Sequence, residues 1–239
     1  MHRCIERTLL IDADDTLWEN NIYYLQCTAR FQDHMEALGY EREAVRAALD
    51  ICEHEMIRRH GYGPAGYIAA LGIVYERLLG ERNLKAEPED IALVRSFGEM
   101  LLTPPIVLRP GVQATLKSLN PNSHLVVVTK GDEETQRSKL DRSGLSPLFD
   151  AVYIVPEKDA VTYRRIVNEL DVDPEETWMV GNSPKSDINP AVEAGLGAIL
   201  VPHSHTWTAE HEEIANPELV TTLHCFSDLL GFFGVDALP

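Results

Sequence analysis

Two aspartates stand two residues apart near the start of the chain, where a short apolar run ends. Residues 9–17 read LLIDADDTL, with Asp12 and Asp14 near the centre of this stretch. Side chains two residues apart point the same way on an extended backbone, so these carboxylates would project together. Because like charges repel, the pair is tolerable only around a cation, or if one carboxyl keeps its proton and serves as an acid. The spacing therefore predicts metal binding, acid catalysis or both.

The apolar residues before these acids are typical of a buried parallel strand. Residues 8–11 are all apolar or β-branched and do not alternate with polar residues, as expected of a strand covered on both faces. In an open α/β sheet, ligands bind at the carboxyl ends of the strands, and the acids begin at that end. A plainer alternative is an aspartate-rich turn that caps the next helix through Asp15 or Thr16.

Three further strands, predicted over residues 124–129, 151–155 and 177–181, also end in polar or charged residues. Their side chains carry hydroxyl, amide, basic or acidic groups, and one residue is a glycine. The first of the three strands ends in Thr129, Lys130, Gly131 and Asp132, the second in Glu157, Lys158 and Asp159, and the third in Asn182, Ser183, Lys185, Ser186 and Asp187. A hydroxyl, backbone amides at a helix start, a lysine and several acids can together hold a phosphoryl group on a carboxylate beside a metal ion. Gathered at one sheet edge, they predict phosphoryl chemistry.

Helical periodicity fills the chain from residue 18 to residue 105. Apolar residues recur there at three- and four-residue steps, and prolines at positions 104 and 105 end the pattern. From residue 106, strands and helices alternate as in parallel crossovers, with a fifth strand over 198–201 and a short edge strand and closing helix over 220–233. We expect an α/β fold: a doubly wound, Rossmann-like parallel sheet core over residues 1–17 and 106–239, with an all-helical domain over 18–105 inserted in it.

The overall charge restricts the class of partner. A net charge of −17 counts against binding to nucleic acid or to an anionic membrane surface. No apolar run approaches the ~20 residues that a membrane helix requires, and the first residues lack the apolar segment of a signal peptide, so we expect a cytoplasmic protein. The cysteines at positions 4, 27, 52 and 225 are scattered singly and are expected to be reduced thiols. The sequence makes no prediction of the oligomeric state.

The order and placement of these motifs resemble the haloacid dehalogenase superfamily, in the branch whose helical cap is inserted between the first two core strands. The DxDxT signature of that family matches Asp12, Asp14 and Thr16, its hydroxyl-bearing second motif matches Thr129, and its lysine matches Lys158. Its acidic fourth motif matches the polar residues after the fourth predicted strand. Each match falls at a strand end, the context that such short motifs require. The resemblance implies a Mg²⁺-dependent hydrolase that removes phosphate from a small phosphomonoester.

The resemblance also implies roles for individual residues. Asp12 would attack phosphorus and become an aspartyl-phosphate, which divides one difficult displacement into two steps. Asp14 would protonate the leaving oxygen and later deprotonate the attacking water. Thr129 and the two backbone amides that follow it would bind the phosphoryl oxygens. Lys158 would neutralise the negative charge of the carboxylate and the phosphate.

The implied metal site is made of oxygen ligands. Asp12, the backbone carbonyl of Asp14, Asn182 and Asp187 would hold Mg²⁺. Many relatives have an aspartate where this chain has Asn182. An amide oxygen can still bind a hard cation, but the site loses a full negative charge, so we expect a modest affinity for Mg²⁺.

Three alternatives share parts of this pattern. A haloacid dehalogenase of the same superfamily needs no acid at position 14 and no metal, so the paired Asp12 and Asp14 count against it. A phosphomutase shares every core residue but returns the phosphoryl group to a sugar. A non-enzymatic phosphoaccepting signalling domain has similar residues in a different order along the chain. The expected partner is a small phosphorylated metabolite, whose identity cannot be deduced from the helical domain that would select it.

Two histidines near the fifth strand have the spacing of a metal-binding clip. His203 and His205 are separated by one residue, and His211 is the only third histidine nearby. Because zinc sites in proteins use at least three protein ligands, we do not expect a transition-metal site there.

Glycines and a proline predict a loop over residues 58–67 of the helical domain. Binding loops are commonly carried by rigid scaffolds, so the part of this loop from Tyr62 to Tyr67 is a candidate for a specificity element that reaches the active site.

Overall fold

The computed structural model describes residues 5–238, which divide into two compact units. One unit contains the residues up to Asn21 together with Ile106 and those that follow, and the other contains Ile22–Pro105. The inserted domain was expected to begin at residue 18, but the division falls after Asn21. Trp18 accounts for part of this difference, because it is fully buried in a core of the first unit.

The first unit is built on a parallel sheet. Within the described residues, six strands form this sheet: β1 (Arg7–Ile11), β2 (Ser123–Lys130), β3 (Ala151–Val155), β4 (Thr177–Gly181), β5 (Gly197–Leu200) and β6 (Val220–Thr222). They lie in the order β3-β2-β1-β4-β5-β6, and each neighbouring pair is parallel. The five predicted strands and the short edge strand are confirmed, with small shifts at their ends. Because β1 lies between β2 and β4, the residues that follow these three strands meet at one edge.

The second unit, all of whose residues are described, is helical. Its α-helices are α1 (Asn21–Ala37), α2 (Arg42–His60), α3 (Pro64–Glu81) and α4 (Pro88–Ser96), and a short 3-10 helix follows at Glu99–Leu102. Their apolar faces pack into one core, in which Phe31, Met35, Leu71 and Val74 are fully buried. The helical character predicted for this part of the chain is therefore present, and the unit has a core of its own.

The loop between α2 and α3 is shorter than the sequence predicted. Helix α2 continues to His60 and α3 begins at Pro64, because proline is well suited to the first turn of a helix, where its missing N–H is not needed. Tyr67 is buried in the helical core, and its hydroxyl lies 2.7 Å from the hydroxyl of Thr28. The loop predicted over residues 58–67 is therefore wrong at both ends, since only residues 61–63 lie between the two helices. Tyr67 is a packing residue of the helical unit.

Helices cover both faces of the sheet. They are α5 (Val112–Leu119), α6 (Glu133–Ser143), α7 (Ala160–Leu170), α8 (Asn189–Glu193) and α9 (Asp228–Phe233). Leu9 and Ile11 of β1 share a core with residues of α5, α6 and α9, while Leu10 shares a second core with residues of α7 and α8. Successive side chains of a strand point to opposite faces, so β1 contributes to both cores. The predicted doubly wound α/β fold is confirmed.

Three of the four cysteines lie within the described residues 5–238. Cys27 and Cys52 are buried, Cys225 is partly exposed, and all three are free thiols, while Cys4 lies outside the described residues. None of the helices in residues 5–238 has the length and apolar character that crossing a bilayer requires.

The irregular segment between β5 and β6 is anchored to the sheet by Glu210. Its carboxylate accepts hydrogen bonds from Lys130 Nζ at 2.8 Å and from Ser183 Oγ at 2.6 Å, and it also accepts one from Ser186 Oγ. Burial alone would raise the pKa of this carboxyl, but Lys130 and the two hydroxyls outweigh burial and lower the pKa to about 2. The ionised carboxylate therefore holds the segment against the end of β2 and the turn after β4.

This anchor predicts a pH-dependent contribution to stability. The pKa of Glu210 is about 2 in the folded chain, against an ordinary 4.5, so its contribution is complete above about pH 4.5 and is lost as the pH falls towards 2. The difference between the two values corresponds to on the order of 3 kcal/mol. Glu210→Gln should lower the free energy of unfolding by about 3 kcal/mol at pH 7. The loss should become smaller as the pH is lowered from 5 to 3. Urea unfolding at each pH measures it.

The matched control for this measurement is Glu213→Gln, which changes an exposed glutamate of the same segment. It should leave the unfolding free energy nearly unchanged at every pH. A deficit of Glu210→Gln that is the same at pH 7 and at pH 3 would contradict the assigned ionisation.

Candidate active site

The centre of the site is a buried lysine between two buried carboxylates. Lys158 Nζ lies 2.5 Å from Asp12 Oδ1 and 2.8 Å from Asp187 Oδ1. Asp187 has no exposed surface, and the other two side chains are almost as deeply buried. Asp12 follows β1, Lys158 follows β3, and Asp187 lies in the turn after β4, so the sheet edge assembles them from three separate parts of the sequence.

Burial and pairing set the protonation of this group. Burial alone would lower the pKa of Lys158, but the two carboxylates outweigh it and raise the pKa, so the lysine is charged. Burial raises the pKa of Asp12 to about 7, against the lowering effect of Lys158, and the nearby Asp187 raises it further. One lysine therefore does not fully compensate two carboxylates that have been removed from water. An additional cation beside Asp12 would favour its ionised form.

Thr16 connects Asp12 to Asn182. Its hydroxyl donates to Asp12 Oδ2 at 2.7 Å and lies 3.2 Å from Asn182 Oδ1. The amide of Asn182 is oriented by Thr206, because the Thr206 hydroxyl donates to the backbone carbonyl of His203 and must accept from Asn182 Nδ2. The oxygen of Asn182 is thus fixed on the side of Thr16 and Asp12, as a cation ligand requires.

The carboxylate of Asp187 is fixed by a tight turn. Asp187 lies in a single π-helical turn over Pro184–Ile188, and its Oδ2 accepts a hydrogen bond from the backbone N–H of Ser183 at 2.9 Å. The end of β4 passes so close that a Cβ atom on Gly181 would lie 2.2 Å from Asp187 Oδ2. A glycine is therefore needed at this strand end for Asp187 to reach Lys158.

Asp14 is held apart from this group by a set of donors. Lys139 Nζ lies 2.9 and 2.8 Å from its two carboxylate oxygens, Trp18 Nε1 donates to Oδ1 at 2.7 Å, and Gln136 Nε2 lies 3.2 Å from Oδ2. Lys139 also donates to Asn20 Oδ1 at 2.9 Å. The expected projection of Asp12 and Asp14 into one cluster is therefore only partly correct, since the two carboxylates bind different lysines.

The phosphate-binding candidates at the end of β2 lie around Gln136. Thr129 is buried, and its hydroxyl oxygen accepts a hydrogen bond from Gln136 Nε2 at 2.6 Å. The same Nε2 lies 2.9 Å from the carbonyl oxygen of Lys130. Gly131 has a φ of 140°, in the region that favours glycine, and a Cβ atom there would lie 2.9 Å from the side chain of Gln136. Thr129 and Gly131 thus reach the same edge as Asp12.

The side chain of Lys130 turns towards acids and a hydroxyl. Its Nζ lies 2.8 Å from Ser186 Oγ, 2.8 Å from Glu210 and 3.2 Å from Glu157. Only the backbone amide of Lys130 is thus suited to the predicted phosphate contact. Two other charged residues at the strand ends are helix caps: Asp132 accepts from the N–H of Thr135 and Asp159 from the N–H of Thr162.

The oxygen atoms of this edge fit a hard divalent cation. Asp12, Asn182 and Asp187 supply two carboxylates and one amide oxygen, without a sulfur or imidazole ligand among them, and Asp14 offers a backbone carbonyl. Mg²⁺ prefers such oxygen ligands. The excess negative charge beside Lys158 also favours a divalent cation at this edge, because the cation would balance that charge.

Lys139 and Gln136 were not predicted from the sequence. Both lie on α6, the helix that follows the Thr129 motif, at positions three residues apart that share one face. Both are buried although the helix is very polar. One sequence signal could have identified these two residues. They are a lysine and a glutamine on the inward face of a helix that begins at the site.

Comparison with known proteins gives the same family as the motifs. The family model of haloacid dehalogenase-like hydrolases matches residues 6–195. Human N-acylneuraminate-9-phosphatase is 34% identical over 100 residues, which cover 40% of each chain. The Escherichia coli pyrimidine 5'-nucleotidase YjjG is 27% identical over 127 residues, covering 51% of this chain and 56% of the relative. The match thus spans less than two thirds of either curated relative.

A solved structure is similar over nearly the whole chain. A haloacid dehalogenase-like family hydrolase from Xanthomonas campestris superposes with a TM-score of 0.80 at 27% identity, and the superposition covers 96% of this chain and 91% of that one. The family model covers most of the sequence, including strands β1 to β4 and the site residues Asp12, Thr129, Lys158 and Asp187 at their ends. The chain belongs to the haloacid dehalogenase-like hydrolases.

Proposed function

We propose that the protein is a Mg²⁺-dependent phosphatase that releases phosphate from a small phosphomonoester through an aspartyl-phosphate on Asp12. The observation that carries this proposal is the buried Asp12 carboxylate, which is paired with the buried, charged Lys158 at the carboxyl end of the central strand β1. A nucleophilic carboxylate needs a fixed position and a cation to reduce its repulsion from a phosphate, and this pair supplies both. Two curated relatives are named as a phosphatase and a nucleotidase, which supports the substrate class.

In the first step, an oxygen of Asp12 forms a bond to phosphorus as the bond from phosphorus to the leaving oxygen breaks. Asp14 enters this step with the proton that it gained from water in the preceding turnover and passes it to the leaving oxygen, and the alcohol departs. Lys158 and the donors at the end of β2, which are the Thr129 hydroxyl and the amides of Lys130 and Gly131, compensate the charge on the phosphoryl oxygens. Bound Mg²⁺, held by Asp12, Asn182, Asp187 and the carbonyl of Asp14, would supply further positive charge at the phosphoryl group.

In the second step, water attacks phosphorus and the bond to Asp12 breaks. Asp14 takes the proton of the attacking water, and free phosphate leaves. Asp14 can serve in both steps only if its carboxylate keeps its place, and we assign that task to Lys139, Gln136 and Trp18, which all donate to it. These three are positioning residues, since they contact Asp14 rather than the substrate.

We also propose that the helical unit of residues 22–105 is the cap that selects the substrate. It is inserted after β1, it has its own core, and it can therefore change in sequence without altering the strand ends that carry the chemistry. The activities for which the two curated relatives are named make 9-phosphorylated acylneuraminates and pyrimidine nucleoside 5'-monophosphates the first compounds to test.

The proposed reaction predicts that Asp12→Asn abolishes phosphate release and preserves the fold, because the amide keeps the shape of the carboxylate but cannot act as the nucleophile. The measurement is phosphate release from a panel of phosphorylated metabolites, with Mg²⁺ and then with a chelator, which should stop the reaction. Many turnovers per enzyme would separate hydrolysis from a single phosphorylation event, and release of free phosphate would separate it from transfer to a sugar.

Asp15→Asn is the matched control for this variant. Asp15 is a buried aspartate of the same motif that accepts from the backbone N–H groups of Asn20 and Asn21. Burial raises its pKa to about 7, and its backbone has a φ of 62°, which asparagine tolerates. This variant should keep most of the activity. Near-normal activity of Asp12→Asn, or full activity in the chelator, would show the proposed mechanism to be wrong.

A separate prediction tests the positioning of Asp14. Lys139→Met removes two of the hydrogen bonds to this carboxylate and should lower kcat by about 10- to 100-fold, since misplacing a reacting group by 1 Å can cost that much. Lys139→Arg, which keeps the charge, should restore part of the loss. Lys117→Met, at an exposed site on α5, should have no effect.

The pH profile of kcat distinguishes positioning from a general loss of stability. Asp14 acts as acid and base, so a carboxylate released from Lys139 should move the limbs of the profile. An unchanged profile, with a rate loss that follows the fraction of unfolded protein, would contradict the assigned role of Lys139.

A further inference from the structure

Glu19, His203 and His205 come together in the first unit, at the turn that follows β5. Each offers one ligand atom, and the three atoms lie within 4.8 Å of one another. His203 Nε2 is 3.0 Å from Glu19 Oε2. Among residues 5–238 this is the one group of three or more histidine, cysteine, aspartate or glutamate side chains with ligand atoms this close.

We propose that these three side chains form a binding site for a transition-metal cation, with Zn²⁺ as the best fit. Two imidazoles and one carboxylate, with further positions left for water, are a common ligand set for zinc in proteins. Imidazole nitrogen favours zinc and its neighbours in the transition series over Mg²⁺, which prefers oxygen ligands throughout. The site is therefore different in chemistry from the oxygen-rich edge around Asp12.

Glu19 lies 184 residues before His203, so spacing along the sequence does not reveal it as the third ligand. His211, the neighbour that the sequence suggested, is exposed and is not a member of the group. The expectation that no transition-metal site exists near His203 depended on the lack of a third ligand. Glu19 supplies that ligand through the fold.

Hydrogen bonds from outside the group hold the backbone of all three ligands. The N–H of Glu19 donates to the carbonyl of Val107 at 2.9 Å. The carbonyl of His205 accepts from Asn21 Nδ2 at 2.7 Å, and the carbonyl of His203 accepts from the Thr206 hydroxyl at 3.1 Å. A cation thus meets ligands whose chain is already ordered, which reduces the entropy lost on binding.

Asp15 lies near Nδ1, the second ring nitrogen of His203. His203 Nδ1 lies 3.8 Å from Asp15 Oδ1 and accepts a 3.2 Å hydrogen bond from the N–H of His205, so the ring proton is on Nε2, towards Glu19. For a cation to bind Nε2, the ring proton must move to Nδ1, which then gives up the hydrogen bond from the N–H of His205. Asp15 Oδ1 can accept that proton only by moving closer than its present 3.8 Å. A carboxylate that accepts from a metal-bound histidine in this way is a recurring arrangement in metalloproteins.

Arg109 is a fixed positive charge near this group, but it binds other acceptors. Its guanidinium donates to the carbonyl of Asp15 at 2.8 Å and to the carbonyl of Pro202 at 3.2 Å. The carboxylate of Glu19 therefore stays available to a cation. A bound cation would also fix the turn from His203 to Thr206, whose hydroxyl orients the amide of Asn182.

The test is titration of metal-stripped protein with Zn²⁺ by calorimetry, in excess Mg²⁺ so that the oxygen-rich edge does not compete. Wild type should bind one Zn²⁺ per chain at this group. Loss of one ligand in His203→Gln or His205→Gln should weaken the binding by at least about tenfold, and His211→Gln should bind as wild type does. Co²⁺ in place of Zn²⁺ should give visible absorption bands that the same two variants lose.

Glu19→Gln tests the proposal even if a histidine variant is unstable. Its amide oxygen can still accept the hydrogen bond from His203, so the contact that exists without metal is preserved. It should unfold at the wild-type temperature without metal, yet gain less stability than wild type when Zn²⁺ is added. Equal Zn²⁺ affinity in wild type, His203→Gln and His205→Gln, or no saturable binding by wild type, would overturn the proposal and leave Glu19 and His203 as a hydrogen-bonded pair. Both results are independent of phosphatase activity.

Discussion

The site depends on the two buried ion pairs that Lys158 makes with the carboxylates of Asp12 and Asp187. Burying each of these charges costs several kcal/mol, and their mutual attraction offsets this cost only with close contacts and further hydrogen bonds. The contacts are 2.5 and 2.8 Å, and Thr16 and the N–H of Ser183 satisfy the remaining carboxylate oxygens. One positive charge still faces two negative ones. The group therefore retains an excess negative charge that a divalent cation would balance.

The fold produces this group because the three residues follow strands β1, β3 and β4 of one parallel sheet. The apolar strands are buried on both faces, which fixes their order and register, and the polar residues begin where the strands end. Close packing then sets finer requirements. Gly181 has to lack a side chain for Asp187 to approach β4, and the backbone of Gly131 takes an angle that favours glycine. The positions of these side chains are therefore a consequence of how the sheet is packed.

The sequence predicts those parts of the structure that depend on short-range patterns. Apolar runs gave the strands, and the residues after them gave Asp12, Thr129, Lys158 and Asp187, because strand ends of a parallel sheet must share an edge. The partners of these residues depend on distant parts of the chain. Lys139 binds Asp14 across 125 residues and Glu210 binds Lys130 across 80, and no periodicity encodes such pairs. Pro64 stands among glycines that indicate a loop, yet it begins α3, because proline both ends and begins helices.

The central claim is that Asp12 becomes covalently phosphorylated during turnover. The direct measurement is reductive trapping: the enzyme is mixed with substrate and Mg²⁺, quenched with borohydride, digested and analysed by mass spectrometry. Borohydride reduces an acyl phosphate to an alcohol, so the account predicts homoserine in place of Asp12, only when substrate is present. Modification of Asp14 or Asp187 instead, or an unmodified Asp12 in an enzyme that is turning over substrate, would contradict it.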